Sequence, residues 1–133
     1  MSGETELDYL IRHLRPMLDP QPYVFCTFAE KNFADLVPLA PVALISETEG
    51  VTAVLPADRA RDLGLAEADW YRRITLMVQS SLAAVGLTAA VSGALARAGI
   101  PANMVAAFHH DHVFVPADSA EQALLVLREL AEG

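Results

Sequence analysis

The chain has 133 residues, 53% of them hydrophobic and only 20% charged, and its formal net charge is −8. That length and apolar content fit one ordinary domain, or two very small ones sharing a core, and exclude a disordered chain. The acidic field repels phosphates, which argues against nucleic acid and anionic membrane surfaces as partners.

A single cysteine, Cys26, permits no internal disulfide and reads as a buried small hydrophobe in a reduced, cytoplasmic protein. No basic-apolar-small leader opens the chain. The apolar run from Leu82 to Ala98 is interrupted by Gly86, Thr88, Ser92, Gly93 and Arg97, so it does not read as a membrane span. With so few charges to cover a small surface, the excess apolar area predicts burial against a second copy, a homodimer.

In chain order, Leu7, Leu10, Ile11 and Leu14 fall at helical spacing, with Thr5 as a cap and Pro16 as a stop. Tyr23 to Phe28 is aromatic and β-branched and reads as a strand. Ala29 to Ala40 reads as a loop with one helical turn near Phe33 to Leu36. Val42 to Ser46 and Val51 to Leu55 are strands around Glu47-Thr48-Glu49-Gly50, where the glycine supplies a positive φ. Pro56-Ala57-Asp58 opens a short helix that stops at Gly64. Trp70 to Gln79 alternates, with Ile74, Leu76 and Val78 on one side and Arg73, Thr75 and Gln79 on the other, as a half-buried strand does. Ser80 or Ser81 caps a long helix through Ala98, which Gly99 and Pro101 end. Asn103 to Phe108 and His112 to Val115 form a strand pair. A last helix buries Ala123, Leu124, Leu127 and Leu130, with Asp118 and Glu121, or Ser119 and Gln122, as a capping box.

Two near-identical words stand out. Val54-Leu55-Pro56-Ala57-Asp58 and Phe114-Val115-Pro116-Ala117-Asp118 each end a strand pair and start a helix, which reads as an internal duplication. The division expected is residues 1–66 and 67–133. The second half is β-α-β-β-α; the first has a loop where the long helix belongs, a gap that the Leu7 to Leu14 helix is expected to fill. The fold class is α+β: two ferredoxin-like βαββαβ halves, with antiparallel sheets and helices packed on one face. No strand follows Leu130, so another segment or another chain must cover that sheet edge.

The phrases Ile74-Thr75-Leu76, Ser80-Ser81-Leu82, Val85-Gly86-Leu87-Thr88-Ala89, Leu95-Ala96-Arg97-Ala98-Gly99-Ile100, Phe108, Asp111-His112 and Val115-Pro116 resemble the ACT domain. The likeness is to the small bacterial tandem-ACT proteins, and the related arginine sensors of animal cytosol, over nearly the full length. What the resemblance implies is a regulatory module that binds an amino acid at an interface between ACT units and acts as a sensor. Ser80, Ser81, Val85, Gly86 and Leu87 form one wall, and Phe108 and Asp111 the other. Elementary chemistry agrees: amides at a helix start attract a carboxylate, a glycine admits a ligand to the backbone, and an aspartate pairs with an amine. The resemblance also admits a ligand-free module for protein–protein interaction and assembly.

No G-x-S-x-G elbow or phosphate loop is present, Glu47 and Glu49 sit in a hairpin turn, and His13 has no nucleophile near it in sequence, so no catalytic role is expected. His110 and His112 alternate as a metal pair could, but they straddle a turn and no Cys or Glu cluster joins them; no metal or cofactor is expected. Arg72 and Arg73 are expected to pair with surface acids, and Trp70 and Tyr71 to anchor the join between halves.

Overall fold

A reciprocal capping box opens the first helix, α1 (Glu6–Arg12): the Asp8 amide donates to Thr5 Oγ1 at 3.0 Å, and the Thr5 amide donates to Asp8 Oδ2 at 3.3 Å. Two amides that a helix start leaves open are thereby satisfied. The computed structural model describes residues 5–65, 69–79 and 85–133. After α1 come β1 (Pro16–Phe28), α2 (Phe33–Leu36), a 3-10 turn (Val37–Leu39), β2 (Ala43–Glu47), β3 (Gly50–Pro56) and α3 (Ala57–Asp62). Then follow β4 (Trp70–Leu76), α4 (Leu87–Arg97), β5 (Asn103–Ala106), β6 (Asp111–Pro116), a second 3-10 turn (Ala117–Ser119) and α5 (Ala120–Glu132). The fold is α+β, with β1·β3, β2·β3 and β5·β6 all antiparallel.

Two compact units cut the chain differently from the 1–66 and 67–133 division. Met1–Asp19 groups with Arg72–Gly133, and Pro20–Tyr71 forms the other unit.

In the larger unit the strand order is β1, β4, β6, β5, with β1 present through its first residues. Ile74, Leu76, Val113 and Val115, at alternate strand positions, share one core with Leu10 and Leu14, with Val91 and Leu95 of α4 and with Leu127 of α5. The helices therefore cover one face of this sheet, as a ferredoxin-like arrangement requires. The edge left open after Leu130 is taken by the N-terminal segment. The Met77 amide donates to the Arg15 carbonyl and the Val78 amide to the Leu14 carbonyl, each at 3.3 Å. The expectation that the N-terminal helix fills a gap in the first half is thus corrected. Its Leu10 and Leu14 are buried in the core of the larger unit, because α4 and α5 there offer an apolar seat.

The start of α4 is a second correction. The helix does not run back to a serine cap; it begins at Leu87, with Gly86 as its N-cap at φ +101°. A left-handed residue cannot sit inside a right-handed helix, so Gly86 fixes the boundary. Ser80 and Ser81 lie outside the described residues. The end is as expected. The Ile100 amide donates to the Leu95 carbonyl and the Gly99 amide to the Ala96 carbonyl, both at 2.9 Å, with Gly99 left-handed and Ile100 buried beside Leu95. These two bonds are a Schellman motif. Neither expected box caps α5. Ser119 has φ −104° and ψ 1°, not the extended backbone from which a side chain reaches forward to cap.

In the smaller unit the order is β2, β3, β1, and Thr48-Glu49 forms a two-residue turn between Glu47 and Gly50. A β-carbon on Gly50 would lie 2.6 Å from the Phe28 carbonyl oxygen, so close approach of β1, as well as its positive φ, requires glycine there. Val24, Cys26, Ala53 and Leu55 pack with Leu36 and Ala60; burial pushes the Cys26 thiol pKa up. Tyr71 sets its ring edge-on to Phe25, while Trp70 is exposed. The repeated words fold alike: Pro56 sits at φ −51°, ψ 138° and Pro116 at φ −52°, ψ 138°, each passing from strand to helical turn.

Candidate functional site

The residues singled out in sequence fall into two groups on the larger unit. The first is the corner at the start of α4. Val85 is 87% exposed and Leu87 only 3%, so Val85 offers its side chain to solvent and Leu87 offers only its backbone. Gly86 between them has no side chain, and its carbonyl accepts the first helical bond, from the Ala90 amide at 2.9 Å. Among the described residues no side chain caps α4, and no acid occupies its first turn. Every other α-helix described carries one there: Glu6 and Asp8 in α1, Asp35 in α2, Asp58 in α3 and Glu121 in α5. The partial positive charge of the α4 start is thus uncompensated by its own sequence, which suits an anionic group.

The second group is the hairpin between β5 and β6. Phe108 is 78% exposed at the turn, its ring set edge-on to His109. Asp111 begins β6, opposite Ala106, and is the buried charged residue of the described chain. A carboxylate in this position can accept hydrogen bonds from a cationic group. The hairpin base lies beside β4 through a 2.9 Å contact between His112 Nδ1 and Thr75 Oγ1.

Several residues around this hairpin were not legible as site residues. Burial, then Arg73 and His110, hold His112 below the ordinary histidine pKa against the pull of Asp111. His110 Nδ1 is buried without a hydrogen-bond partner. Arg73 pairs with Asp19 at 3.1 Å, and Arg72 Nε donates to the Asp19 carbonyl at 2.8 Å. The acid that receives both arginines is half-buried on β1, not on the open surface expected. Strand alternation had put Thr75 and Arg73 on one side; what it lacked was the partner strand. No group of three or more metal-ligating side chains occurs among the described residues. His13 stacks on Tyr9 of its own helix at 4.1 Å.

Two cavities of about 380 Å³ each lie apart from these groups. One is lined by Asp8, Ile11 and Arg12 of α1 and by Leu130 to Gly133; the other, in the smaller unit, lies among Pro20, Pro22, Asp58 and Arg61. No helix among the described residues is long and apolar enough to cross a membrane.

Two family models, both described as ACT domain, match residues 2–72 and 71–129 in tandem. Among solved structures, a Vibrio cholerae protein of unknown function, described as a possible transport protein, is 45% identical, with 96% of each chain covered and a TM-score of 0.84. The regulatory subunit of aspartate kinase from Thermus flavus shares the fold at 12% identity, covering 86% of this chain and 95% of its own, with a TM-score of 0.61. Aspartokinase III of E. coli, in complex with aspartate and ADP, shares it at 14% identity over 89% of this chain and 33% of its own, with a TM-score of 0.59. No curated protein matches by sequence.

Proposed function

We propose that this chain, which belongs to the ACT-domain family, is a regulatory protein that binds a small zwitterionic metabolite, an amino acid, and catalyses nothing. The observation that carries this reading is the start of α4: a glycine-entered helix whose first turn has neither a side-chain cap nor an acid among the described residues. A ligand carboxylate accepts from the amides after Gly86, where the missing side chain lets it approach. Its ammonium pairs with Asp111. Phe108 and Val85, both exposed, close over the ligand when ACT units meet, in a homodimer of a cytoplasmic protein. Ligand occupancy favours one arrangement of units, by no more than its differential affinity for the two arrangements.

A thermal-shift screen of the purified protein against the twenty amino acids, common nucleotides and divalent metals, repeated on Asp111→Ala, tests this. A shift of several degrees with one or a few amino acids, lost in the variant, supports it. The second reading, an assembly module without a ligand, draws on the same exposed Phe108 and Val85. It predicts no shift with any compound, and loss of the dimer in Phe108→Ser.

A further inference from the structure

α1 and its flanks touch the rest of the larger unit at two places that matter to the candidate site. Near its N-terminus, Leu7 lies over Gly86: a β-carbon built on that glycine would stand 2.9 Å from Leu7 Cδ2 and 3.5 Å from Leu7 Cδ1. Leu7 therefore fills the space a side chain at Gly86 would take. Because the Gly86 carbonyl begins the α4 ladder, the seat of Leu7 helps set the direction of the amides that follow. Past its C-terminus, the Leu14 and Arg15 carbonyls receive the Val78 and Met77 amides, just beyond β4. α1 and the residues just after it thus hold the chain leaving β4 and the chain entering α4.

α1 depends on the rest of the unit for its existence. It has seven residues, fewer than the roughly 12 an isolated helix needs to persist in water. It exists because Leu10 within it and Leu14 just after it are buried. Its exit is strained, since Arg15 has φ +48°, a backbone conformation L residues adopt at a cost. Its outer side is incompletely filled: the cavity of about 380 Å³ lies between Asp8, Ile11 and Arg12 on α1 and Leu130 to Gly133 at the end of α5. A helix this short is held by its seat and not by its own ladder, so a change in that seat is felt along α1.

We infer that α1 is the positioning element of the Gly86 corner, with Leu7 as its positioning residue, so that docking of α1 and occupancy of the ligand site are linked. The functional half rests on the proposed amino-acid site; the contacts that link α1 to Gly86 do not. Linkage is reciprocal: a ligand that needs the docked corner must also hold α1 down by the same factor.

Native-state hydrogen exchange on the full chain tests the structural half. In Leu7→Ala the Ala90 amide should exchange at least tenfold faster, while β6 amides keep wild-type protection; Leu10→Ala, which loosens the shared core, should speed both. Uniform acceleration in Leu7→Ala, or an unchanged Ala90 amide, would overturn the inference by making α1 plain core filling. The functional half uses the twenty L-amino acids as probes. Any that raises the wild-type Tm should bind Leu7→Ala at least fivefold more weakly and slow exchange of the Leu10 and Ile11 amides in wild type. Equal affinity for both proteins would sever the link. If no amino acid raises the wild-type Tm, the ligand reading fails, and the exchange result still decides whether α1 positions the corner.

Discussion

The two units repeat a plan and differ most sharply at one helix. Each has a hairpin that runs through Pro-Ala-Asp into a helix, and the prolines share a backbone conformation to within a degree. Between the preceding strands, the larger unit carries α4, eleven residues entered through Gly86; the smaller carries α2, four residues and a 3-10 turn that ends at left-handed Ala40. The start of α2 is already closed by a box in which the Asp35 amide donates to Asn32 Oδ1 and the Asn32 amide donates to Asp35 Oδ2. A helix that short, capped by its own acid, presents little positive end to a ligand carboxylate. The comparison teaches that duplication of a fold does not duplicate its details: among the described α-helices, α4 alone begins with neither a side-chain cap nor an acid in its first turn.

The comparison can be tested by perturbing matched places. The largest effects belong to the cores. Leu127→Ala and Leu36→Ala, both fully buried in wild type, should each cost about 2–5 kcal/mol in urea denaturation. Leu127→Ala should be the worse, because it opens the core shared by three helices and the sheet; the reverse order would show the smaller unit to be the less forgiving. Next come the glycines. Gly50→Ala should cost roughly 2–3 kcal/mol, since its β-carbon would meet the backbone of Phe28 and Ala29. Gly86→Ala should cost about 1–2 kcal/mol, because there it meets only the tip of Leu7. Equal losses would mean that backbone conformation, and not contact, governs both. Ala40→Gly works the other way. Releasing φ +55° should stabilise the protein by roughly 0.5–1 kcal/mol after the entropy of glycine is set against it, read as a raised urea midpoint.

The smallest effect is a pH dependence confined to the larger unit. Burial and the neighbouring cations lower the folded pKa of His112 below its unfolded value near 6.5. Between those two values the unfolded chain holds more protons, so this contribution to stability is present above pH 6.5 and declines as pH falls towards the folded pKa. His112→Gln should therefore lose less stability than wild type between pH 7.5 and 5.5. Identical losses, by urea midpoint, would remove His112 from the account.

Periodicity in the sequence was enough to read most elements. Ile74 and Leu76 alternate with Arg73 and Thr75 on β4 as expected, and Gly99 ends α4 with the bonds its position implied. The start of α4 was hidden because Leu82 to Ala98 is apolar and alanine-rich, so helix propensity masks a boundary that one positive φ enforces. The first half of β1 was hidden by Pro16, Pro20 and Pro22. Prolines cannot donate to a ladder, but their fixed φ suits an extended chain, and β1 runs through all three. Of the candidate site, the corner and the hairpin were legible as motifs through family resemblance. That Leu7 overlies Gly86, or that Asp19 receives two arginines, was not, because both join segments more than fifty residues apart.

The split membership of β1 carries a consequence for how the chain is made. Residues Pro20–Tyr71 form a unit inserted within another, whose first part, Met1–Asp19, is complete before the insert begins and whose remainder starts at Arg72. On a ribosome adding about 5–20 residues per second, Leu10 and Leu14 emerge early and wait several seconds for the α4 and α5 surfaces that bury them. The smaller unit has all its strands and helices in hand during that wait. The order of synthesis thus favours closing the insert first and the larger unit last, with the N-terminal helix docking late.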